Sequence, residues 1–153
     1  MGNRVNSKRA ARRRILVVDD EPSIRRILSL VLQRDGHVVT EACSGAEALS
    51  LFEPGKFDLI FTDHFMPVMK GDRLAAALKK RAPQQMIVML TGSLERLAAK
   101  PQVDYVIGKP FEIETLREAV ANCACVQRLP RQASNNDQTA WFCGLLIGAS
   151  FEL

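Results

Sequence analysis

Four short apolar runs in this chain each stop at a residue that can bind a cation or an anion. Ile15-Leu16-Val17-Val18 runs into Asp19-Asp20-Glu21, and Asp58-Leu59-Ile60-Phe61-Thr62 runs into Asp63. Met86-Ile87-Val88-Met89-Leu90 ends in Thr91, and Tyr105-Val106-Ile107-Gly108 ends in Lys109. Each run is rich in β-branched residues and apolar at successive positions, the pattern of strands buried on both faces of a parallel sheet. In open α/β sheets, ligands bind in the crevice beyond the carboxyl ends of the strands. Three carboxylates, a hydroxyl and an ammonium are therefore expected at one end of one sheet.

Those residue types in that place point to a hard cation and a phosphoryl group. Clustered carboxylates ionise together cheaply only when a cation shares their field. Oxygen ligands select an ion such as Mg²⁺, which binds through one or two carboxylates plus phosphate oxygens and keeps several waters. A carboxylate beside such an ion can attack phosphorus and form an acyl phosphate. Thr91 and Lys109 supply a hydrogen bond and a positive charge for the phosphoryl oxygens.

The stretches ILVVDDEPSIRRIL, FDLIFTDHFMPVMKGD, MIVMLTGS and VDYVIGKPFEIETL resemble the receiver domain of two-component response regulators, over about residues 14–127. The resemblance implies a flavodoxin-like α/β fold: a five-stranded parallel sheet of order 2-1-3-4-5 with helices on both faces. It implies that Asp63 is the phosphoacceptor and Asp20 a direct Mg²⁺ ligand. Asp19 would bind the metal mostly through water, and the backbone carbonyl of Phe65 would complete the protein ligands. Thr91 would be the switch hydroxyl that moves to the phosphoryl group. Lys109 would pair with that group, and the Lys109–Pro110 bond would be cis.

The segments between the strands read as helices. Pro22 opens the first at a position where its missing N–H costs nothing. Ile24, Ile27, Leu28, Val31 and Leu32 then form one apolar stripe, closed by Asp35-Gly36. A second helix is expected over Ser44 to Phe52, a third from Asp72 to Lys80, and a last from Glu112 to about Val126 with Ile113, Leu116, Val120 and Cys123 on one face. His37–Glu41 alternates as an edge strand does. Strands alternating with helices call for a parallel sheet covered on both sides. Between Thr91 and Lys109 the chain is shorter than usual for a receiver, and Ser93–Ala99 leaves room for about two helical turns. Val106 stands where many receivers hold Tyr or Phe. Tyr105, one residue off, is expected to face the other way, so a Thr–aromatic coupling is not expected. His64 reads as a partly exposed packing residue, and Gly71 as the supplier of a turn.

Composition bounds the rest. A chain of 153 residues holds one domain and a short appendage, and 47% hydrophobic with 25% charged residues is ordinary for a soluble globular protein. Cys43, Cys123, Cys125 and Cys143 lack a zinc spacing and are expected as reduced thiols in the cytoplasm. Residues 1–13 read as a basic, disordered leader. Arg4, Lys8, Arg9, Arg12, Arg13 and Arg14 lie at this end with no acid, against a total of +4, so the remaining chain is net acidic. Nucleic-acid binding is accordingly not expected of the domain. Residues 128–153 read as a linker and a short apolar tail. Its Ala140–Phe151 stretch has 12 residues, too few for the ~20 of a membrane span. No DNA-binding domain is recognisable.

The expected function is that of a single-domain receiver. It would accept a phosphoryl group on Asp63 from a histidine kinase or histidine phosphotransfer protein and signal to a downstream protein by contact. It would be no enzyme beyond its own phosphorylation and dephosphorylation. Two rivals are a Mg²⁺-dependent aspartyl phosphohydrolase and a phosphorylation-independent interaction module. The first wants a second acid two residues after its nucleophile, where Phe65 stands. The second sits poorly with five intact site residues.

Overall fold

The computed structural model describes residues 11–94 and 101–126. Its elements run β1 (Arg14–Val18), α1 (Pro22–Arg34), β2 (Val38–Ala42), α2 (Gly45–Leu51), β3 (Leu59–Asp63), α3 (Gly71–Arg81), β4 (Met86–Thr91), β5 (Tyr105–Gly108) and α4 (Ile113–Val126). The five strands form one parallel sheet in the order β2-β1-β3-β4-β5. This is the expected flavodoxin-like arrangement. Among the described residues, no helix is long and apolar enough to cross a membrane. The leader through residue 10, residues 95–100 with most of the expected short helix, and residues 127–153 with the apolar tail lie outside the described residues.

Period-two alternation splits the strand side chains between two cores. Ile15, Val17, Leu59, Phe61, Met86, Val88, Leu90 and Ile107 pack with Leu28 and Leu32 of α1 and Leu116, Val120 and Cys123 of α4. Leu16, Val18, Ile60, Ile87 and Met89 face the other way, onto Ala48 of α2, Phe52, and Leu74, Ala75 and Leu78 of α3. Because both faces are covered, the central strands contain no polar positions until they reach their ends. Tyr105 packs with the first core and Val106 with the second, as alternation required.

Local chemistry sets the helix ends. Pro22 sits in the first turn of α1, and the chain leaves the helix through Gly36 at φ 93°, a left-handed conformation that glycine adopts freely. Ser44 caps α2 by accepting the Glu47 N–H at 3.2 Å.

Three expectations about packing need correction. Ile27 is 56% exposed. The buried line of α1 runs through Leu28, Ser29 and Leu32, which places Ile27 about 100° around the helix from Leu28. Ile113, the first residue of α4, is likewise exposed. Gly71 is the first residue of α3 and serves close approach rather than a turn: a Cβ there would lie 2.2 Å from the Asp63 carbonyl oxygen.

Candidate functional site

The carboxyl ends of β1, β3, β4 and β5 bring Asp19, Asp63, Thr91 and Lys109 to one end of the sheet. The ladder sets Asp63 beside Leu90 and Thr91 beside Gly108. Asp19, Asp63 and Thr91 are buried, at 2%, 7% and 0% exposure. The Lys109 ammonium donates to Asp63 Oδ1 at 2.6 Å and to Asp19 Oδ2 at 3.1 Å. One cation thus bridges two carboxylates from strands that are neighbours in the sheet.

The remaining carboxylate oxygens are held by backbone. The Glu21 N–H donates to Asp19 Oδ1 at 2.9 Å, and the Phe65 N–H donates to Asp63 Oδ2 at 2.7 Å. The Arg25 guanidinium donates to the Asp19 carbonyl at 2.7 Å, fixing the β1–α1 turn from the first helix. The Lys109 N–H donates to the Thr91 carbonyl at 2.6 Å, and the Lys109–Pro110 peptide is cis.

Burial and charge act against each other here. Burial pushes the Asp19 carboxyl above its ordinary value; the Glu21 N–H and Lys109 pull it down without restoring it, and the Asp63 charge adds to the upward push. Burial also works against the Lys109 charge, but hydrogen bonds and attraction from Asp63 and Asp19 outweigh it and raise the ammonium above its usual range.

Other expected site residues stand apart from this bridge. Asp20 is exposed. Among the described residues, no three acidic, His or Cys side chains converge to hold a metal ion. The two carboxylates that do converge meet at the Lys109 ammonium. Thr91 Oγ1 accepts the Ser93 N–H at 3.1 Å and lies 3.3 Å from the Ser93 carbonyl, so its hydroxyl is engaged by Ser93. Phe65 is 40% exposed, and its ring lies 4.2 Å from that of His64.

His64 differs from expectation. It is buried, at 2% exposure, and its Nδ1 lies 3.4 Å from Thr91 Oγ1. The fully buried run of β3 continues one residue past its end, a continuation that a loop reading of DHFMP overlooks.

Over residues 15–121 the chain matches the response regulator receiver domain family. The chain belongs to that family. Its fold is that of a receiver domain, a signalling module of response regulators. A receiver domain structure from Clostridium thermocellum is similar at TM-score 0.70 and 31% identity, over 74% of this chain and 95% of that one. The response regulator TrrA of Thermotoga maritima, solved in complex with Mg²⁺-BeF, gives TM-score 0.68 at 35% identity, over 72% of this chain and 97% of that one. Among curated relatives, the transcriptional regulatory protein ResD of Bacillus subtilis is 35% identical over 133 residues, or 84% of this receiver chain. The receiver chain spans 51% of ResD and 25% of the Escherichia coli regulator GlrR.

Proposed function

We propose that Asp63 accepts a phosphoryl group from a histidine kinase or histidine phosphotransfer protein in the cytoplasm, and that the phosphorylated domain signals to a downstream protein by contact. The observation that carries this reading is the Lys109 bridge, with Asp19 and Asp63 drawn to one ammonium at 3.1 and 2.6 Å. In the transfer, an Asp63 carboxylate oxygen attacks phosphorus and the bond to the donor's imidazole nitrogen breaks. The electron pair of that bond leaves with the imidazole, and Asp63 becomes an acyl phosphate.

The donor set fits a divalent cation. Two buried carboxylates converge, one of them pushed toward its neutral form by burial, and a third, Asp20, stands exposed beside Asp19. Asp20 and Asp63 with the Phe65 carbonyl would hold Mg²⁺ directly, and Asp19 would hold it mostly through water. Bound there, the ion neutralises charge that builds on the phosphoryl oxygens. The chain's own residues do the rest. The Phe65 N–H orients the Asp63 carboxylate, the Lys109 ammonium is in place to pair with the arriving anion, and Thr91 offers its hydroxyl once released from Ser93. The domain would catalyse its own phosphorylation and dephosphorylation and no other reaction.

Incubation with a small acyl phosphodonor and Mg²⁺, followed by intact-mass and peptide analysis, tests the proposal. The expected result is one phosphoryl group on Asp63 and none on Asp63→Asn. A mass gain that survives Asp63→Asn would refute the assignment.

A further inference from the structure

We infer that His64 is a positioning residue that holds the Thr91 hydroxyl in its resting place and thereby sets how readily that hydroxyl moves to Asp63. The inference rests on the reading of Thr91 as the hydroxyl that answers phosphorylation. Both side chains are sealed from solvent, at 2% and 0% exposure. The His64 backbone is fixed on two sides: its N–H donates to the Leu90 carbonyl at 2.9 Å and its carbonyl accepts the Gly71 N–H at 3.0 Å. Gly71 makes the second bond available, because any Cβ at that position would collide with the Asp63 carbonyl. The imidazole therefore leaves a rigid point between β4 and α3, with Nδ1 at 3.4 Å from Thr91 Oγ1.

One tautomer satisfies every contact of the Thr91 hydroxyl. A threonine hydroxyl has one proton and two lone pairs. With hydrogen on Nδ1, the imidazole and the Ser93 N–H both donate to Oγ1, and Oγ1 donates to the Ser93 carbonyl. All three observed contacts are then satisfied at once. With Nδ1 bare, the single Thr91 proton must choose between Nδ1 and the Ser93 carbonyl. The first arrangement saturates the hydroxyl on His64 and Ser93. Moving Oγ1 toward a phosphoryl group strands a buried Nδ1–H, a loss greater than that of an exposed hydrogen bond. His64 is thus a brake on the switch, built into the residue that follows the phosphoacceptor.

The test compares wild type, His64→Phe (ring retained, nitrogen removed) and His64→Asn, whose amide group sits close to the place of Nδ1. In metal-free protein, scalar couplings report the Thr91 χ1 rotamer. We expect one rotamer in wild type and His64→Asn, and a mixture in His64→Phe. His64→Leu serves if the Phe variant does not fold. With Mg²⁺ and beryllium fluoride, His64→Phe should tighten apparent beryllofluoride affinity about threefold to tenfold, the worth of one hydrogen bond. That gain should vanish in a Thr91→Ala background, as a coupled pair requires. An unchanged χ1 distribution in every His64 variant, or equal tightening without the Thr91 hydroxyl, overturns the inference. Failure of all variants to take beryllofluoride would instead refute the phosphoacceptor reading, and the metal-free χ1 result would still decide the role of His64.

Discussion

Where the strands begin, carboxylates and cations are matched one to one; where they finish, two carboxylates share one ammonium. At the first end, Asp58 accepts the Arg14 N–H and Nε on Oδ2 at 2.8 and 3.3 Å and Nη2 on Oδ1 at 2.9 Å. Burial alone would push the Asp58 carboxyl up, but the hydrogen bonds and charge of Arg14 outweigh it and hold the carboxyl below its usual value. Asp104 Oδ2 accepts Lys79 Nζ at 2.7 Å and the Ile87 N–H at 2.9 Å, tying α3 and the start of β5 to β4. At the other end, Lys109 serves Asp19 and Asp63 together, and the Asp19 carboxyl stays above its usual value because its burial is not fully offset. The first arrangement fastens the sheet. The second leaves two carboxylates to one ammonium, a condition that stabilises little and that the proposed cation would relieve.

Removing Lys109 should expose the contrast most strongly. Lys109→Ala leaves Asp19 and Asp63 facing each other with no cation between them, and should destabilise metal-free protein by about 1–3 kcal/mol. Mg²⁺ should recover much of that loss, because the variant keeps every expected metal ligand. Phosphorylation of this variant should no longer produce the conformational response of wild type. Chemical denaturation with and without Mg²⁺ measures the first two effects, and amide shifts on beryllofluoride binding measure the third. Lost Mg²⁺ binding would contradict the role given to Lys109.

Asp104→Asn should have a smaller effect at the opposite end, costing about 1 kcal/mol because the Ile87 N–H keeps an acceptor while the Lys79 ion pair weakens. Equilibrium unfolding measures this loss, and the gap from wild type should be the same with and without Mg²⁺. The smallest effect has the opposite sign. Asp19→Asn retains an oxygen for the Glu21 N–H and removes a charge that burial disfavours, so the metal-free protein should melt roughly 1–3 °C higher. A lower melting temperature would show that Asp19 is matched as well as Asp104 is, and the contrast between the two ends would fail.

These ends differ equally in how legible they are in sequence. The site strands could be read because Ile15–Val18, Leu59–Thr62 and Met86–Leu90 are apolar without interruption and stop at polar residues, which fixes both their burial and their direction toward the crevice. Lys109 and Asp63 followed from the same endings. The partners at the other end could not be read: Arg14 and Asp58 lie 44 residues apart, and nothing in their neighbours marks them as a pair. The exposure of Ile27 is hidden in the sequence because an apolar residue at the flank of a helical stripe satisfies the periodicity whether or not the sheet reaches it. Ser29 took the buried place, and its hydroxyl has no partner among the described residues. The burial of His64 has no local signal, because a loop residue reads as exposed unless the burial of the strand before it is carried forward. Gly71 shows the same limit, since close approach to the Asp63 carbonyl is a tertiary fact with no local signal.

The carboxyl end of the sheet is proposed as a cation site organised around Asp63. Thermal unfolding with increasing Mg²⁺ tests it most directly, using wild type, Asp63→Asn and Asp104→Asn. A ligand that binds only the folded state adds about 2.7 kcal/mol at a hundredfold excess over its Kd. Melting temperature should rise with Mg²⁺ for wild type, rise equally for Asp104→Asn from its lower starting point, and scarcely rise for Asp63→Asn. An equal rise in Asp63→Asn would contradict a site organised around Asp63.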